Sequence, residues 1–167
     1  MATKTDFSSA EWEVLRDAPH LVIIAVTVAG ASGIFGSIAE ALAPSSIISE
    51  ALQGSNQLLR EICEREEIQS SIDAIKTRAK ASGDFSGLQA ALRMEAIDKS
   101  RAAIELLRQK ASSEDIVAYR EFLIALANKV ANAAKEGDFL GFGGERVSEH
   151  ERTLLVELAE AVGVLQA

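Results

Sequence analysis

The sequence predicts an all-α protein, a compact bundle of about six to eight helices folded as one domain over residues 1–167. Three observations support this class. The chain is 48% hydrophobic, much of it alanine and leucine, with only two prolines and one tyrosine, a composition that favours helix over sheet. Apolar residues recur at three- and four-residue steps, and no segment alternates as a strand does. Glycine-rich Gly-x-Phe turns separate these segments.

The first predicted element is a short helix at the N-terminus. Ser8 and Glu11 have the spacing of a capping box, in which each residue bonds the backbone of the other. Trp12 and Leu15 follow on one side of this helix, while Glu11 faces elsewhere. We expect a small amphipathic element that docks on the rest of the chain.

A strongly apolar helix is predicted next. Pro19 is expected to open it, since proline fits the first turn of a helix, and His20 would then bond solvent or backbone at its start. Residues 18–39 carry no formal charge, and a stretch of that length could span a bilayer. Because no basic cluster flanks it, we expect a buried central helix that ends near Gly30 or Gly33.

The middle of the chain contains three further predicted helices. One covers about 36–43, and a second begins near Ser46 and ends before Gly54. From 57 to 80 apolar residues recur at helical spacing, which predicts one long helix. The mixed charges at 60–67 are expected to form its solvated face.

The C-terminal half predicts three more helices. One spans 88–110, and the next begins at Ser112 or Ser113 with Asp115 in its first turn. The last helix is opened by Ser148, which has Glu151 three residues later in a second capping box.

Three glycine turns join these helices and share the order Gly, any residue, Phe. The third lies in the segment 135–151, which is rich in glycine and carboxylates. A hydrophobic contact often accompanies a helix cap, so each phenylalanine is expected to be buried at a helix junction. These residues are Phe35, Phe85 and Phe139.

Composition also limits the classes of function that the chain could have. The chain has 17 basic and 25 acidic residues and a net charge of −8, which argues against nucleic-acid binding. Its single cysteine, Cys63, is expected to be a packed structural thiol in a reducing, cytoplasmic compartment, and the N-terminus shows no secretory signal. No nucleophile–histidine motif or strand-linked phosphate loop indicates catalysis.

The carboxylates around the third turn allow two interpretations. Asp138, Glu145 and Glu149, with His150 and Glu151 nearby, offer oxygen and nitrogen donors of the kind that bind divalent metal ions. Their spacing is not that of an EF-hand, and glutamates are common in first helical turns because they stabilise the helix dipole. Capping and solvation are therefore preferred, and a metal site is the alternative.

The same stretch resembles a known family. The run GERVSEHER at 144–152 and the helix LLVELAEAVGV at 154–164 are similar to the turn and helix of tellurite-resistance B-like domains, which are small all-helical bacterial proteins. The resemblance implies a fold with two related helical halves, and acidic residues near the turns that bind metal.

Three functions follow from these observations. The first is a non-enzymatic helical protein without a cofactor that binds another protein or a second copy of itself, through the uncharged segment 20–39. The second is a divalent-metal-binding stress-response protein of the tellurite-resistance B-like kind. The third is an enzyme of unrecognised class. Nucleic acid and membrane are not expected partners.

Overall fold

The all-α prediction is confirmed by a computed structural model, which describes residues 1–30, 46–80, 85–136 and 149–164. Within these ranges there are seven α-helices and no strand, after a 3-10 turn at Lys4–Asp6. The helices are α1 (Ser9–Gly30), α2 (Ser46–Gln53), α3 (Gln57–Ile62), α4 (Arg65–Lys80), α5 (Phe85–Lys110), α6 (Ser113–Glu136) and α7 (Glu149–Ala161).

Helix α1 is the centre of the bundle and packs on α4, α5, α6 and α7. Its direction relative to α5 follows from two contacts. The Gln89 amide donates to the Val28 carbonyl at 2.8 Å, and the Lys99 ammonium lies 3.2 Å from the Asp17 carboxylate. Since early residues of α5 meet late residues of α1, the two helices are antiparallel.

The apolar part of α1 is buried, as its composition predicts. Most of residues 20–29 are buried in the chain's own core, so this part of the uncharged segment offers little surface to a partner. The rest of that segment, 31–39, lies outside the described residues. The hydrophobic residues of 20–29 that are at most 4% exposed are Leu21, Val22, Ile23, Ile24, Ala25, Val26 and Val28.

The predicted helix start at Pro19 is wrong, because α1 runs through this residue without interruption. Proline has no N–H, so it cannot donate to the carbonyl of Leu15 four residues before it. The hydroxyl of Tyr119 donates to that carbonyl instead, at 2.7 Å. The next carbonyl, of Arg16, also contacts a side chain, the Nδ1 atom of His20, at 3.0 Å. Tertiary and local bonds thus replace what proline removes.

The predicted long helix 57–80 is divided at Cys63 into α3 and α4. The apolar residues before and after this point explain the division. On one continuous helix with 3.6 residues per turn, the stripe through Ile62 and the stripe through Ile75 would lie about 140° apart. A change of direction lets both stripes reach the core, where both isoleucines are buried.

The helix caps follow the sequence closely in the described ranges. The Ser8 amide donates to Glu11 at 2.7 Å, and the Ser112 hydroxyl accepts from the Asp115 amide at 3.2 Å. Gly163 terminates α7 with a φ of 76°, a left-handed conformation that glycine adopts without strain.

Several predictions fall on residues that the structure does not describe. These are the helix at 36–43, the cap at Ser148, and the burial of Phe35 and Phe139. Helix α5 begins at Phe85, earlier than the predicted 88, but the side chain of Phe85 is outside the described set, so its burial stays a prediction.

Candidate functional site

The structure describes only part of the predicted metal site. Glu149 opens α7 and is exposed, as is His150, whereas Glu151 in the same turn is buried. Asp138 and Glu145 lie outside the described residues. In the described ranges, no group of three or more histidine, cysteine, aspartate or glutamate side chains is placed to hold a metal ion. The metal site therefore stays a prediction.

The most connected set of charged side chains lies where the N-terminal segment, α1, α4 and α5 meet. Within it, Asp17 is 2% exposed, and its carboxylate lies 2.9 Å from the Arg16 guanidinium and 3.2 Å from the Lys99 ammonium. We call these residues the Asp17 cluster: Lys4, Arg16, Asp17, Glu67 and Lys99.

Glu67 is the second carboxylate of the Asp17 cluster. It accepts a 3.0 Å hydrogen bond from the indole N–H of Trp12, lies 3.8 Å from Arg16, and pairs with Lys4. The prediction that the whole charged face at 60–67 is solvated is wrong at this position, because Glu67 is only 8% exposed. Its cationic partners come from other parts of the chain, so helical spacing alone did not reveal them.

The electrostatics of this cluster keep both carboxylates ionised. Burial raises the pKa of Asp17, but hydrogen bonding to Arg16 and the charges of Lys99 and Arg16 outweigh it, so the pKa lies below its ordinary 3.8. Burial likewise raises the pKa of Glu67, while Lys4, Trp12 and Arg16 bring it below 4.5. The ion pairs of this cluster join the N-terminal segment, α1, α4 and α5.

His20 and Cys63 are two further groups that could carry chemistry. Burial lowers the pKa of His20 below 6.5, although hydrogen bonding to the Arg16 backbone and the charge of Asp17 oppose this. Burial also raises the pKa of Cys63 to about 12, which leaves almost no thiolate at neutral pH. The prediction that Cys63 is a packed structural thiol agrees with its 3% exposure.

A surface groove runs between α5 and α7, with a volume of about 590 Å³. These helices run in the same direction, because His150 at the start of α7 shares a cleft with Gln89, while Gly163 just after its end lies beside the Arg108 guanidinium near the end of α5. The residues that determine the chemistry of this α5–α7 groove are Arg93, Met94, Ile97 and Arg101 from α5, and Glu157 and Glu160 from α7.

The groove combines apolar side chains with charges of opposite sign on its two helices. Met94 is 65% exposed, and Ile97 beside it packs partly on the core. The α5 side carries two arginines and the α7 side two glutamates. One pair joins the two sides within the chain: the Arg93 Nε atom donates to the Glu157 carboxylate at 2.8 Å, and a guanidinium nitrogen contacts its other oxygen.

The other two charged residues of the groove, Arg101 and Glu160, do not pair across it in the described ranges. Arg101 lies 3.2 Å from Asp98 on its own helix, but both side chains are more than half exposed, so the pair contributes little. Glu160 is exposed and has no ion-pair partner among the described residues. Sequence reasoning missed this groove, because charges three and four residues apart on separate helices look like ordinary solvated faces.

Comparison of the chain with protein-family models, curated proteins and solved structures found no match. The resemblance of 144–164 to tellurite-resistance B-like domains therefore stays a prediction. Across the described ranges, no helix joins the length and the apolar character that crossing a membrane requires.

Proposed function

We propose that this protein works by binding protein without catalysing a reaction, and that the α5–α7 groove is its docking surface. The observation that carries this proposal is the exposure of Met94 in a groove that also carries charges of both signs. Methionine is flexible and polarisable and adapts to partner surfaces. Apolar centres with a polar rim are typical of protein interfaces.

The chemistry of the other ionisable groups supports this choice. The carboxylates of Asp17 and Glu67 are paired with cations, and the thiol of Cys63 is held protonated by burial. Catalysis by nucleophilic attack needs an activated nucleophile beside a base. The groove, by contrast, combines an exposed apolar side chain with charges of both signs.

Photocrosslinking tests this proposal directly. The full-length chain carrying p-benzoylphenylalanine in place of Met94 is irradiated in the cells from which the gene comes, and adducts are identified by mass spectrometry. We expect one defined protein adduct whose yield falls when Arg101→Glu is added. The matched control places the same group at Val117, which is 49% exposed on α6 and outside the groove.

The possible outcomes separate the explanations. An adduct at position 94 and none at 117 supports a docking surface. No adduct at 94, equal adducts at both positions, or a crosslink formed only within one molecule would refute the proposal, the last because the molecule itself would then cover the groove.

A further inference from the structure

We infer that the occupant of the α5–α7 groove is a second copy of this chain, docked about a two-fold axis that runs along the groove. This inference rests on the proposed function and specifies the partner. It follows from how charge is distributed across the groove and from which of those charges the single chain leaves available.

The first step concerns the sign of charge on each side. A partner that matches the groove must present an acidic group to Arg101 on one side and a basic group to Glu160 on the other. A uniformly acidic or uniformly basic partner would match one side and be repelled by the other. The groove of a second copy carries both signs in the required arrangement.

The second step is symmetry. An isologous interface brings one surface against itself, so that residue i meets residue j and j meets i. If the two-fold axis lies along the groove, rotation places α5 of one copy on α7 of the other without changing position along the helices. Arg101 and Glu160 lie at the same end of the groove. Each Arg101 would therefore face the Glu160 of the other copy.

The third step is the availability of these side chains. The bidentate contact between Arg93 and Glu157 already joins the two sides within one chain. Arg101 gives up only an exposed pair with Asp98, and the described residues offer Glu160 no ion pair. Two new ion pairs then form across the axis, and the exposed Met94 of each copy can pack against the other copy.

Sedimentation velocity and light scattering of the purified full-length chain test the inference. We expect a monomer–dimer equilibrium with a dissociation constant of about 1–100 µM, the range of small transient interfaces, which weakens as salt is added. Arg101→Glu and Glu160→Arg are each expected to raise this constant by about tenfold or more, because each places like charges together twice.

The double variant Arg101→Glu with Glu160→Arg gives the decisive measurement. It exchanges the two signs, so dimerisation should return to within about threefold of the original chain. Lys129→Glu, an equal charge reversal at an exposed site on α6 outside the groove, should leave the equilibrium unchanged. Circular dichroism and thermal unfolding of each variant report whether it folds.

The result that would overturn the inference is a monomer at all concentrations, or a dimer that ignores the single reversals or is not restored by the double variant. A monomeric chain that still forms a crosslink from position 94 to a different protein would reject the second copy as occupant while leaving the docking surface in place. Absence of both would reject the inference and the proposed function together.

Discussion

The hydroxyl of Tyr119 and the backbone carbonyl of Leu15 form a 2.7 Å hydrogen bond in the core. The carbonyl is the one that Pro19 leaves without its helical donor. Tyr119 is fully buried, so neither group has water as an alternative partner. Each depends on the other for satisfaction of its hydrogen-bonding capacity.

We therefore expect Tyr119→Phe to lower the free energy of unfolding by about 1–3 kcal/mol, the cost of leaving a buried polar group unpaired. In the background of Pro19→Ala the same change should cost less, since the restored amide can donate to Leu15. Urea unfolding of the four chains in this double-mutant cycle measures the coupling. Equal costs in both backgrounds would refute the compensation.

Asp17 should be one of the most sensitive charged positions. Asp17→Asn leaves the Arg16 guanidinium and the Lys99 ammonium without their carboxylate, and we expect unfolding free energy to fall by about 3 kcal/mol. The matched control is Asp98→Asn, which removes an exposed pair with Arg101 and should cost about 0.5 kcal/mol or less. Similar small losses at both sites would show that the Asp17 cluster contributes little.

Stability should decrease on acidification in two steps. The pKa of His20 in the folded chain lies below its ordinary 6.5. The unfolded chain therefore binds more protons than the folded chain, and the free energy of unfolding decreases as the pH falls through 6.5. The lowered pKa values of Asp17 and Glu67 add to the free energy of unfolding. This contribution is complete above pH 3.8 for Asp17 and above pH 4.5 for Glu67, and it is lost as the pH falls through the pKa values of the folded chain.

Urea unfolding between about pH 8 and about pH 3 measures both steps. His20→Gln, which keeps a neutral side chain, should flatten the curve between about pH 7 and about pH 5 and leave the lower step. If the His20→Gln chain still lost stability between about pH 7 and about pH 5, that loss would come from a different titratable group.

Cys63 should resist alkylation in the folded protein. With its pKa near 12, roughly one thiol in ten thousand is ionised at pH 8. We expect iodoacetamide to label the denatured chain readily and the native chain only on the time scale of opening. Val117→Cys in a Cys63→Ala background provides an exposed control thiol. Equal native labelling of Cys63 and this control would contradict the prediction.

No tight metal binding is expected at the third glycine turn. Glu149 and His150 are neighbours on α7, so their side chains point about 100° apart and cannot easily share one ion. Calorimetric titration of chelator-treated protein with calcium, magnesium, manganese and zinc is the measurement. Stoichiometric micromolar binding, lost in Asp138→Asn or Glu149→Gln, would instead establish the metal-binding alternative.

Local sequence was sufficient for most of the helices. Apolar spacing predicted α5 and α6 to within a few residues, and the cap at Ser112 with Asp115 was recognisable because its partners are three residues apart. Such signals depend only on helical periodicity and on near neighbours.

The tertiary structure decided the positions at which distant residues override these local sequence signals. Pro19 lies inside α1 because Tyr119, 104 residues away, supplies the missing donor. Glu67 is buried because Lys4 of the N-terminal segment and Trp12 of α1 reach it. The α5–α7 groove likewise exists only once two helices far apart in sequence lie side by side. Periodicity describes one helix at a time, whereas these features depend on which helices meet.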